Sequence, residues 1–120
     1  MRMIIAGSRT FNNFDMLKAE ADKVIADHHG KDLGEVTIIS GGARGADKLG
    51  ERYANMNLLD LDIYPAKWDK YGRSAGYRRN EKMAKVATHL LAFWDGSSRG
   101  TKHMIDLAHR HGLTVHVVQY

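Results

Sequence analysis

The chain has 120 residues, no cysteine, a single proline and a formal charge of +4. That length suits one domain with its own core, and the lack of cysteine removes disulfide frameworks and thiolate metal sites. The first apolar run, Met3 to Ala6, is too short for a secretory signal, and no run approaches the roughly 20 apolar residues that span a bilayer, so the expectation is a soluble cytoplasmic protein with no membrane partner.

In chain order, Arg2–Ala6 predicts a short buried strand, followed by the turn Gly7-Ser8-Arg9-Thr10. From Phe14 to His29, the residues Phe14, Leu17, Ala21, Val24, Ile25 and His28 recur at helical spacing, with Asn13 placed to cap the start and Gly30 the end. Glu35–Ser40 predicts the second strand and Arg44–Asn57 the second helix, with Ala46, Leu49, Tyr53, Ala54 and Met56 as its apolar positions. Leu59–Tyr64 predicts a third strand, ended by Pro65, and Ala66–Arg73 reads as irregular. Ser74–Val86 predicts a helix with Tyr77, Met83 and Val86 inward, and His89–Trp94 a fourth strand. After the turn Asp95–Ser98, Arg99–His111 predicts a helix stopped by Gly112, and Thr114–Val118 the last strand. Strands alternating with helices predict α/β units on a mainly parallel sheet. The expected architecture is a single Rossmann-like domain over residues 1–120, three-layered, with five strands.

In such sheets ligands bind beyond the carboxyl ends of the strands, where the strand order reverses. Strand one is followed by AGSRT, strand two by SGGARGAD and strand four by WDGSSRGT. All three loops belong on one sheet edge, and each holds glycine, serine and arginine. Glycine lets the backbone approach a ligand. Serine hydroxyls and the free N–H groups of a helix start bond anionic oxygens. Arginine supplies a planar charged fork suited to phosphate. The pattern therefore points to a phosphate-bearing ligand, with Arg9, Arg44 and Arg99 as phosphate contacts, Ser8, Ser40 and Ser97 as hydrogen-bonding groups, and Gly41, Gly42, Gly45 and Gly100 giving close backbone approach. Asp47 is either a favourable charge at a helix start or an acceptor for a ribose hydroxyl, and Asp95 either accepts from ribose or caps its turn. The loops match neither the G-x-G-x-x-G dinucleotide fingerprint nor a P-loop.

The charge is local. Between Lys67 and Lys85 stand seven basic residues against two acids, so this stretch carries the whole net positive charge. Trp68 and Tyr71 lie among these cations, a pattern of base stacking beside phosphate contact or simply of a loop pinned by packed aromatics. The seven histidines show no metal-ligand spacing such as H-E-x-x-H, so no metal is expected.

The stretches IIAGSRTF, IISGGARGAD, PAKWDKYGRSAGYRRNEKM and LLAFWDGSSRGTKHMIDLAHRHGLTVHVV resemble the SLOG superfamily, and more narrowly its small stand-alone branch related to the YspA and YpsA proteins. The resemblance covers nearly the whole chain. It implies a Rossmann-like fold that binds a nucleotide or nucleotide-derived ligand. It also implies a site built by Gly7, Ser8 and Arg9, by Ser40 to Asp47, and by Gly96, Ser97, Ser98, Arg99, Gly100 and Thr101, with Arg79 and Asn80 facing it. Relatives include the Lonely Guy phosphoribohydrolases, which cleave the N-glycosidic bond of nucleoside monophosphates, and the DNA-processing protein A, which binds single-stranded DNA. Gly100 and Thr101 match the Lonely Guy loop, but where those enzymes carry a catalytic glutamate this chain has Lys102, His103 and Met104, and its nearest carboxylate is Asp106.

The leading expectation is a sensor, carrier or sequestering protein for a nucleotide-type small molecule, with no required cofactor. The rival readings are hydrolysis of a nucleotide N-glycosidic bond and single-stranded nucleic-acid binding through Lys67 to Lys85. The resemblance also suggests a homo-oligomer.

Overall fold

The computed structural model describes residues 1–29 and 35–120. Five strands, β1 (Arg2–Gly7), β2 (Thr37–Ser40), β3 (Asp60–Ile63), β4 (His89–Trp94) and β5 (Thr114–Gln119), alternate with helices α1 (Phe14–His29), α2 (Ala46–Met56), α3 (Trp68–Tyr71), α4 (Ala75–Val86) and α5 (Arg99–Arg110). A single 3₁₀ turn, Gly72–Ser74, joins α3 to α4. The strands form one all-parallel sheet in the order β3-β2-β1-β4-β5. This is the Rossmann-like architecture, with its order reversing between β1 and β4.

Residue type explains the layers. β1 and β4 are the central strands, and their cores, Met3 to Ala6 and His89 to Phe93, are buried on both faces, as continuous apolar runs in parallel sheets are. Successive side chains alternate between two cores. Met3, Ile5, Ile38, Leu91 and Phe93 meet α1 and α2, while Ile4, Ala6, Ile39, Leu90 and Ala92 meet α4 and α5. Each large side chain taken fully from water contributes roughly 1.5–3 kcal/mol. The register pairs Gly7 with Phe93 and Ser40 with Ile63, so the loops after β1, β2 and β4 leave the same edge.

Asn13 caps α1 as expected, its Oδ1 accepting from the Met16 N–H at 3.0 Å. The Gly30 cap lies outside the described residues. Gly112, at φ +74°, ends α5 in the left-handed conformation. Five details depart from the sequence expectation. Ala66–Arg73 is not wholly irregular, since Trp68–Tyr71 closes one helical turn, too short to leave a periodic signature. Met56 and Val86 each end their helices and are exposed, as is His28 near the end of α1. Tyr77 is half-exposed on α4, its ring edge-on to His103 of α5 with centroids 4.5 Å apart. Among the described residues no helix is long and apolar enough to cross a membrane.

Candidate functional site

The loop edge is set by packing between turns. Ser8 is buried, its N–H donating to Phe93 O at 2.9 Å and its Oγ accepting from the Asp95 N–H at 3.2 Å, which ties the β1 loop to the β4 loop. Phe11 stacks on Phe93 with ring centroids 4.5 Å apart and meets the Tyr120 ring edge-on, holding the segment that carries Arg9. The β2 loop fits against it. A Cβ at Gly45 would meet the backbone oxygens of Ser8 and Arg9, and φ there is +77°, so this turn admits only glycine without strain.

Where these loops face α3 and α4, two cavities adjoin. The first, of about 220 Å³, is lined by Gly7, Asp47, Asn80, Ser98, Gly100 and Thr101 and walled by Tyr77, Met83 and Met104. The second, of about 440 Å³, is lined by Gly41, Gly42, Arg44 and Lys48. Arg9, Ala43, Trp68 and Arg79 line both and form the waist between them. Among the described residues, Asp47 is the only carboxylate that lines the first lobe, and none lines the second.

Asp47 and Arg79 organise the waist. Arg79 donates through Nη1 to Gly41 O and through Nε to Asn80 Oδ1 at 3.1 Å. Buried Asn80 in turn donates to Gly100 O at 3.4 Å and lies 3.2 Å from His103 Nδ1, so α4 grips the start of α5. Asp47 is 6% exposed. Its Oδ2 accepts the Ala43 N–H at 3.2 Å, and Oδ1 has no partner among the described residues. Burial pushes its carboxyl up to about 6, against the opposing pull of the Ala43 N–H, Arg79 and Arg9. The same burial lowers Arg79, and Arg9 nearby adds to that, while Asp47 works the other way. Arg9 and Arg44 are exposed and, like Arg79, form no ion pair among the described residues. With Arg73, which lines the first cavity, four guanidinium groups thus converge on one cavity system with no ion pair to a carboxylate among the described residues, which makes that system attractive to an anion.

The family described as YspA, cpYpsA-related SLOG matches residues 1–71, which include the first two glycine loops. The gene 61 protein of Mycobacterium phage D29 is 32% identical over 121 residues, covering 95% of this chain and 93% of that protein. The chain belongs to this SLOG family. No solved structure gives a significant match.

The residues expected from the family pattern divide by their place. Ser40 is fully buried beneath the site. Its Oγ donates to Glu51 Oε2 at 2.7 Å and accepts the Gly42 N–H at 3.0 Å, which shapes the second loop from below. In the third loop, Ser98 caps α5 by accepting from the Thr101 N–H, and its carbonyl accepts from Trp94 Nε1 at 3.1 Å. Asp95 Oδ1 accepts both the Ser97 and Ser98 N–H groups at 2.8 Å, and these bonds draw its carboxyl below the usual range. Asp95 therefore serves as the cap of its turn, and Asp95, Gly96, Ser97 and Arg99 line neither cavity.

Sequence reasoning left Lys48, Arg73, Tyr77, Met83 and Met104 out of the site. Helical period carries a signal for some of them. Gly76, Arg79, Asn80 and Met83 share one face of α4, and Met104 follows Thr101 by three positions on α5, whereas Arg44 lies in the turn before α2 and gives Lys48 no such signal. Among the described residues, no three His, Cys, Asp or Glu side chains cluster as a metal site.

Proposed function

We propose that this protein binds a nucleotide or nucleotide-derived small molecule in the two-lobed cavity and acts as a sensor, carrier or sequestering protein. The observation that carries the reading is the convergence of Arg9, Arg44 and Arg79 on glycine-lined backbone, beside a lobe walled by Tyr77, Met83 and Met104. Phosphate suits the basic lobe, and an aromatic base suits the apolar walls around Trp68. SLOG membership supports a nucleotide-related ligand at that coarse level. Binding is preferred to hydrolysis because the carboxylate nearest the position of the Lonely Guy glutamate, Asp106, and the one two residues after Arg79, Glu81, are both engaged by surface lysines. Asp106 is exposed and pairs with Lys102 at 2.9 Å, and Glu81 is exposed and pairs with Lys85 at 3.7 Å.

Native mass spectrometry followed by a thermal-shift panel of nucleotides, NAD and ADP-ribose tests this. The expected result is one ligand class that raises the melting temperature by several degrees in the wild type and not in Arg79→Ala. A protein stabilised by none of these compounds overturns the reading. The same spectrum reports the oligomeric state.

Single-stranded nucleic acid is the second reading, and one observation favours it. A third cavity, of about 230 Å³, adjoins the basic lobe through Ile63, Pro65 and Arg79 and is lined by Lys67, Tyr71, Arg78 and Lys82. The Arg78 guanidinium lies 4.4 Å from the Tyr71 ring centroid. Oligonucleotide affinity that falls steeply with salt supports this reading, and affinity indifferent to salt removes it.

A further inference from the structure

We propose that Asp47 is the specificity-determining residue of this cavity: it accepts hydrogen bonds from a ribose diol, and so selects ribonucleotides over 2′-deoxyribonucleotides. The inference rests on the nucleotide reading above.

Three features of the site lead to it. The first is an unmet acceptor. Asp47 is 6% exposed, lines the first lobe, and uses only Oδ2, towards the Ala43 N–H. Oδ1 has no partner among the described residues, and the carboxylate forms no ion pair. A buried carboxylate with free lone pairs is costly unless a donor meets it. The hydrogen bonds of the neighbouring donors go elsewhere: Arg79 Nη1 to Gly41 O, Arg79 Nε to Asn80 Oδ1, and Asn80 to Gly100 O. Oδ1 is thus open to a donor that a ligand brings into the cavity.

The second feature is sign. An anionic group is repelled by Asp47, and although Arg73 also lines the first lobe, phosphate is favoured in the other, where Arg44 and Lys48 stand and no acid does among the described residues. Asp47 lines only the first lobe. The site therefore has a direction, with phosphate on one side of the Arg9–Arg79 waist and a neutral hydrogen-bond donor on the other.

The third feature is reach. A Cβ built on Gly41 would lie 2.8 Å from Asp47 Oδ2 and against the Arg79 guanidinium as well. The donor met by Asp47 thus lies immediately beyond a cation expected to hold phosphate. In a nucleotide the ribose is the unit joined directly to phosphate, while the polar edge of the base lies farther out. Adjacent 2′- and 3′-hydroxyls present two donors to one carboxylate, the same solution that acidic residues provide for ribose in dinucleotide folds.

The experiment is calorimetric titration of the wild type, Asp47→Ala and Asp47→Asn with four ribonucleoside diphosphates, their 2′-deoxy counterparts and inorganic pyrophosphate. A hydrogen bond to a charged group predicts that the wild type holds its preferred ribonucleotide about tenfold or more tighter than the 2′-deoxy form. In Asp47→Ala that ratio should fall below about threefold, with the 2′-deoxy form and pyrophosphate bound at least as well as before because the repulsive charge is gone. Asp47→Asn, which keeps the shape and one acceptor, should fall between. Equal binding of the two sugars by the wild type overturns the inference, as does a preference that survives in Asp47→Ala or depends on the base alone. Each of those outcomes leaves the nucleotide reading standing. A protein that takes up neither diphosphates nor pyrophosphate overturns this inference, and the nucleotide reading falls with it only if the wider panel of nucleotides, NAD and ADP-ribose also fails.

Discussion

Asp47 and Arg79 close on the same glycine, Gly41, yet do not pair with each other. Arg79 Nη1 bonds the Gly41 carbonyl, and a side chain at Gly41 would run into both the guanidinium and Asp47 Oδ2. Gly41 does not sit at positive φ, so alanine fits its backbone, and the obstacle is the two functional groups. Gly41→Ala should therefore keep the fold while driving Arg79 out of place. We expect nucleotide affinity to drop by about tenfold or more, with at most about 1–2 kcal/mol lost from stability. Paired titration and denaturant unfolding check this, and a variant with unchanged affinity would show that Arg79 is not needed in its observed position.

Gly45→Ala should behave in the opposite way. The added Cβ would meet backbone oxygens of Ser8 and Arg9, which have no room to yield, at a φ of +77°. The combined strain and collision should cost about 2–4 kcal/mol of folding stability. Urea unfolding measures it, and a loss below about 1 kcal/mol would mean that the two turns can separate without penalty.

These two glycines show what the sequence makes legible. SGGARGAD announces a tight strand-to-helix turn, and the apolar runs of β1 and β4 announce central parallel strands, because burial on both faces leaves no polar alternation. The parallel sheet and the shared edge of three loops follow from that. The division of labour among the glycines does not, since Gly41 answers to Arg79, 38 residues away, and Gly45 to the turn after β1. The same limit explains Tyr77. Period identifies the face of α4 that carries Arg79, Asn80 and Met83, but not that its flank borders a cavity instead of core. For Asp95 the sequence leaves both a ligand role and a turn cap open, because the two leave the same residue pattern.

The raised carboxyl of Asp47 predicts an unusual pH response. The folded value, about 6, lies above the ordinary 3.8, so between those limits the folded state binds more protons than the unfolded state. Stability from this group is then present at low pH and lost as pH rises through about 6. Facing it are Arg79 of α4, Arg9 of the β1 loop and Glu51 of α2, of which only Glu51 adds to the upward shift. Asp22 and Asp95, held below the usual range, act in the opposite sense, so the difference between proteins is the useful quantity. Asp47→Asn should be more stable than wild type at pH 7.5 by up to about 3 kcal/mol, with the gap closing towards pH 4. Melting curves across that range test it. An Asn variant less stable than wild type at pH 7.5 would mean that the apo carboxylate is already well solvated or paired.

Tyr53 supplies a test of the fold away from the cavity. Its ring is 1% exposed, and its hydroxyl donates to Asp22 Oδ1 at 2.6 Å, joining α2 to α1. Burial raises the phenol, and the bond to Asp22 raises it further. Tyr53→Phe keeps the ring packed and removes one hydrogen bond. Because Asp22 also pairs with Lys18 at 2.8 Å, its carboxylate is not abandoned. The expected loss is about 1–2 kcal/mol, with nucleotide affinity unchanged because neither residue lines either lobe. A matching loss of affinity would show that the α1–α2 layer controls the site, and would make the cavity sensitive to packing on the far face of the sheet.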